Sequence, residues 1–94
     1  MVIGMCAIEL YIPGNGSLKG KRRVIKSILA RVHHRFNVSI AEVDDQDSWQ
    51  SAKIGVACIS NDPAHAHSLL TKTVEWIERN RPDVEVVDYQ IEML

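Results

Sequence analysis

The chain has 94 residues, 46% hydrophobic and 24% charged, with a formal net charge of −1. That is the composition of an ordinary soluble globular protein, long enough to form one domain over residues 1–94 with a core that needs no staples. No apolar run nears the ~20 residues that span a bilayer. The start, MVIGMCAIELYIPG, has no basic leader or small-residue cleavage site, and two cysteines, Cys6 and Cys58, make no disulfide scaffold. A cytoplasmic protein with free thiols is expected.

In chain order, residues 2–12 are rich in Val, Ile, Leu and Tyr and stop at Pro13-Gly14-Asn15-Gly16, which predicts a strand and a turn. Ser17 is a good N-cap for a helix whose apolar residues recur at Ile25, Ile28, Leu29, Val32 and Phe36, ending at Asn37. Residues 38–44 predict a second strand, Asp45-Gln46-Asp47-Ser48 a turn, and residues 50–60 a third strand. Asp62 and Pro63 start a second helix that runs to about Arg81, with Ala66, Leu69, Leu70, Thr73 and Ile77 inward. Pro82 blocks its continuation, and residues 84–93 predict the last strand.

The order β-α-β-β-α-β predicts an α+β, ferredoxin-like sandwich, a four-stranded antiparallel sheet with two helices on one face. The other face of the sheet is expected to be apolar too. In the first strand both parities are largely apolar, and Val87, Tyr89, Ile91 and Met93 share one parity in the last. Such a face predicts burial against another copy of the chain, a homo-oligomer through the open sheet. A partly exposed apolar face on a monomer is the alternative.

The near-neutral total conceals two opposite halves. Residues 1–41 carry seven Lys/Arg against Glu9 alone, net +6, and residues 42–94 carry four against eleven acids, net −7. On a helical wheel Lys19, Arg22, Arg23 and Lys26 share one flank with His33, and Lys21 lies nearer the core side. Cations at a helix start oppose the macrodipole. Their crowding there points to an anion, such as a phosphate, as partner for Lys19, Lys21, Arg22, Arg23 and Lys26. A solvated face, or ion pairs to the acidic half of a neighbouring subunit, accounts for the same cations without a ligand.

The segment LYIPGNGSLKGKRRVIKSILARVHHRFNVSIAEVDDQDSWQSAKIGVA carries S-L-K-x-K-R, then R-F-N-V-S-I-A-E-V, then D-x-W-Q. In that order and spacing it resembles the bacterial YlxP-like family, a small domain of unknown function, over nearly the whole chain. The resemblance implies a ferredoxin-like cytoplasmic protein. The family's genes tend to lie among translation and ribosome-maturation genes, which suggests RNA. It implies no catalytic residues. The family usually has Glu where this chain has Gly20, so the capping box with Ser17 is incomplete and a looser, less acidic first turn is expected.

The remaining candidates are weaker. Glu42 is expected to pair with Lys53 across the hairpin, and Asp44, Asp45 and Asp47 lack Ca²⁺-loop spacing and read as a solvated turn. His65 and His67 point to different faces, as do His33 and His34, so no metal or cofactor is expected. Trp49 at the hairpin end reads either as a partner anchor or as a cap over the sheet edge, and Tyr11 and Tyr89 are further partner-contact candidates. The third strand has no aromatic on which to stack bases, so RNA is expected at the first helix, not at the sheet.

Three functions compete: a homo-oligomeric RNA-binding module, possible in ribosome maturation or translation; a protein-interaction module without nucleic acid; and an acylphosphatase-like phosphate-binding enzyme. The last is disfavoured. Gly14-Asn15-Gly16-Ser17 holds no arginine, the second strand does not end in Asn, and no nucleophile–base pair is spaced for catalysis.

Overall fold

A computed structural model describes residues 1–45 and 47–94; Gln46, placed in the expected turn, lies outside the described residues. The elements are β1 (Val2–Tyr11), α1 (Leu18–Arg35), β2 (Ser39–Asp44), β3 (Ser51–Ser60), α2 (Pro63–Asn80) and β4 (Glu85–Met93). Each boundary falls within about a residue of the one the local signals predict, because the caps are in use. Ser17 Oγ accepts from Gly20 N at 3.0 Å, and Asp62 Oδ1 accepts from Ala64 N at 3.0 Å with Pro63 opening α2.

The strands form one antiparallel sheet in the order β2-β3-β1-β4. Two helices and this sheet make the α+β, ferredoxin-like sandwich. One apolar cluster lies between the layers. Cys6, Ile8 and Leu10 of β1 and Ile54 and Val56 of β3 meet Ile25, Ile28 and Val32 of α1 and Leu70, Val74 and Ile77 of α2. Each of the largest of these side chains contributes about 1.5–3 kcal/mol on leaving water, which is why the helical stripes outweigh any local propensity.

Pairing register decides what the open face carries. Tyr89, Ile91 and Met93 pair with Ile8, Cys6 and Gly4, so they belong to the helix side of the sheet. The open-face positions of β4 are Asp88, Gln90 and Glu92, opposite Glu9, Ala7 and Met5. This corrects the expectation of an apolar β4 on the open side. On β4 a bulge leaves Val87 alone exposed beside Glu9 and Tyr11, and the larger apolar part lies on β1, β3 and β2. There Met5, Ala7, Ala41, Val43, Gly55 and Ala57 line a shallow depression of about 420 Å³. Val43 occupies a bulge and lies across Gly55, where a Cβ would stand 2.9 Å from Val43 Cγ1.

Candidate nucleic-acid interface

Helix α1 contains no acidic residue, and its buried stripe is Lys21, Ile25, Ile28 and Val32. The stripe turns Lys19, Arg22, Arg23 and Lys26 outward, and all four are exposed. Among the described residues the ion pairs are Lys21–Glu42 and Arg81–Asp83, so these four cations have no carboxylate within 4.0 Å. His33, His34, Arg31 and Arg35 extend the exposed basic surface toward the C-terminal end, where Arg35 lies 6.0 Å from the Phe36 ring centroid.

Lys21 leaves the anion-binding set. It is 1% exposed, and its ammonium faces inward. Nζ donates to Asp45 O and, at 2.8 Å, to Ser48 O, and it lies 3.1 Å from Glu42 Oε2. The Glu42 contact is an ion pair without hydrogen-bond alignment, and Oε2 accepts no hydrogen bond among the described residues. Glu42 therefore does not pair with Lys53. A bulge between Glu42 and Asp44 sets Glu42 opposite Ile54, on the helix side beneath α1, and sets Asp44 opposite Lys53 on the open side. The bulge supplies the extra residue that separates the two carboxylates onto opposite faces.

A second clamp joins the same two segments. Asn15 Nδ2 donates to Ser17 O at 2.8 Å and to Trp49 O, while Gln50 Nε2 donates to Asn15 O at 3.2 Å. Gly20 makes room for this clamp, because a Cβ there would meet Asn15 Oδ1 at 2.4 Å. The first turn is accordingly not loose. Ser17 still caps it, and Asn15 fills the space beside Gly20 from the preceding loop. Asn15 and Glu42 are the residues that sequence reasoning missed here. A signal existed for Glu42: Lys21 stands four residues before Ile25 on the apolar stripe, a place where a lysine needs a buried counter-ion.

The aromatic candidates divide. Trp49 projects from the β2–β3 turn and is 56% exposed; it does not cap the core. Tyr11 lies at the end of β1 on the open face, opposite Ser51 and Glu85. Tyr89 lies across the sheet on the helix side, so the three share no surface. Trp76 of α2 packs against the core. Cys6 and Cys58 are buried free thiols, and burial pushes Cys6 up to about 11, so it carries its proton at neutral pH. The described residues contain no group of three His, Cys, Asp or Glu placed to hold a metal, and no helix long and apolar enough to cross a membrane.

In overall shape the chain is similar to the de novo designed protein Foldit4, with a TM-score of 0.54 and 14% identity over 100% of this chain and 97% of the other. It is also similar to LarC2, described as the C-terminal domain of a cyclometallase involved in the synthesis of the NPN cofactor of lactate racemase, in its apo form. There the TM-score is 0.55 at 12% identity, over 100% of this chain and 55% of that one. At these identities the likeness concerns the fold alone. The uncharacterized protein YlxP of Bacillus subtilis (strain 168) is 39% identical over 84 residues, covering 89% of this chain and 90% of that one. The profile of the family described as "Protein of unknown function (DUF503)" matches residues 3–91, and the chain belongs to that family.

Proposed function

We propose that the protein is a homo-oligomeric binding module that contacts RNA phosphates through the exposed flank of α1, in ribosome maturation or translation. The observation that carries this reading is the set Lys19, Arg22, Arg23 and Lys26, exposed on one helix that bears no acid and without carboxylate partners among the described residues. Four like charges at a helix start repel one another and the macrodipole. A bound polyanion relieves both at once, and release of its counterions drives the association. The gene neighbourhood implied by the family resemblance points to RNA among polyanions. The oligomer is supported by the apolar patch of Met5, Ala7, Ala41, Val43, Gly55 and Ala57, whose surface a second copy removes from water.

The test is titration of the protein with RNA at two salt concentrations. Four phosphate contacts predict that affinity falls about 50-fold between 50 and 200 mM salt. Replacing Lys19, Arg22, Arg23 and Lys26 together by Glu abolishes binding and leaves the far-UV circular dichroism unchanged. A quadruple variant that binds RNA like the native chain overturns the reading. Retention of an acidic protein partner after nuclease treatment would favour the interaction-module alternative instead.

A further inference from the structure

The β2–β3 turn holds an exposed indole on a backbone pinned from two directions. Asn15 Nδ2 donates to Trp49 O and also to Ser17 O, which sets the Trp49 backbone against the first turn of α1. Lys21 Nζ donates to Ser48 O at 2.8 Å, one residue away, and Ser51 N donates to Ser48 Oγ at 3.2 Å. Ile12 N donates to Gln50 O at 2.8 Å on the other side. The residue between these anchors is the most exposed aromatic of the chain's described residues, yet it fills no space in the core. A large flat side chain on a rigid mount loses little freedom when a second ring settles on it.

We infer that Trp49 is a base-stacking platform continuing the cationic flank of α1, so that the RNA is single-stranded where it passes the β2–β3 turn. This rests on the reading of α1 as a phosphate-contacting surface. An aromatic face beside a cationic track is the arrangement that binds single strands. The track follows the backbone, and the ring takes a base without reading its sequence. A duplex offers no free base face to an indole. Asp45 and Asp47 stand exposed on the same turn, with Asp44 at the end of β2 before it, and repel phosphates, so the strand runs from Trp49 back along α1 and does not continue past the turn. The helix, 18 residues long, provides a track of about 27 Å.

The experiment separates this inference from the one beneath it. In a Trp76→Phe background Trp49 is the lone tryptophan, since the chain has two. A 12-nucleotide oligoadenylate and a 12-base-pair RNA duplex are titrated at low salt. Oligoadenylate is expected to quench Trp49 fluorescence and the duplex to leave it unchanged. Trp49→Ala weakens oligoadenylate binding about tenfold and duplex binding less than twofold, while Trp49→Phe retains most of the affinity. No quenching, equal losses on both RNAs, or native affinity in Trp49→Ala each overturns the stacking role. In those cases the α1 reading survives provided the quadruple Glu variant has lost binding. If the native chain binds neither RNA, both fall together.

Discussion

Lys21 shows how little the type of a residue says about its work. Five cations stand within eight residues of the chain, and four of them reach solvent. The fifth is as buried as the isoleucines beside it, and its ammonium ties the carbonyls of Asp45 and Ser48 to the first turn of α1. Removing it strands the Glu42 carboxylate and two carbonyls at once. We expect Lys21→Met to lower stability by about 3 kcal/mol, read as a shift of the urea midpoint at constant slope. Lys21→Met combined with Glu42→Leu should recover part of that loss, because no buried charge is then left alone. An unchanged midpoint in the single variant would mean that Lys21 is free to bind ligand. Helical spacing places Lys21 nearer the core side but does not say whether its ammonium stays inside or reaches solvent. Its partners came from a turn more than twenty residues away, which no local pattern specifies.

Among the elements, the end of α2 is joined to its neighbours by one arginine. Arg81 caps the helix, with its N–H on Ile77 O at 3.0 Å. Its guanidinium donates to both carboxylate oxygens of Asp83, at 3.0 and 2.6 Å, and to Ser27 Oγ of α1 at 2.7 Å. The hydrogen bonds from Arg81, aided by its charge and opposed by partial burial, hold the Asp83 carboxyl below its ordinary value of 3.8. A depressed folded value means stability that is present above the unfolded carboxylate range and is lost as pH falls through the folded value. Asp83→Asn should therefore lower the melting temperature slightly at pH 7, and the gap from native should close as pH falls through the depressed folded value. The Asp83 side chain is 41% exposed, so solvent screening keeps the effect under about 1 kcal/mol. A gap that persists undiminished into acid would assign it to packing. Helix and strand limits were legible from Ser17, Asp62, Pro63 and the apolar stripes, because caps and periodicity are local. The face that β4 presents was not, because an extra residue in β4, Val87, unpaired between Val86 and Asp88, parts Val87 from Tyr89, Ile91 and Met93, which alternation alone would put on one face.

At the scale of the molecule, the open sheet is divided. Asp44, Lys53, Glu9 and Asp88 form a charged row across it, and the apolar floor of Ala7, Ala41, Gly55 and Ala57 lies to one side of that row. If a second copy covers this floor, Ala57→Glu places a charge in the buried centre of both copies. We expect the native chain to sediment as an oligomer at tens of micromolar and Ala57→Glu as a monomer with native circular dichroism. A native chain that stays monomeric at about 100 µM removes the oligomer from the proposal. By itself the sequence determined the element order, the helix starts, the inward stripes and the basic character of α1, all written in spacings of two to four residues. Tertiary structure alone decided which lysine is internal, where Glu42 finds its counter-ion, how Asn15 holds Trp49, and which side of β4 meets water. Those outcomes depend on bulges and register, where one inserted residue exchanges the two faces of a strand.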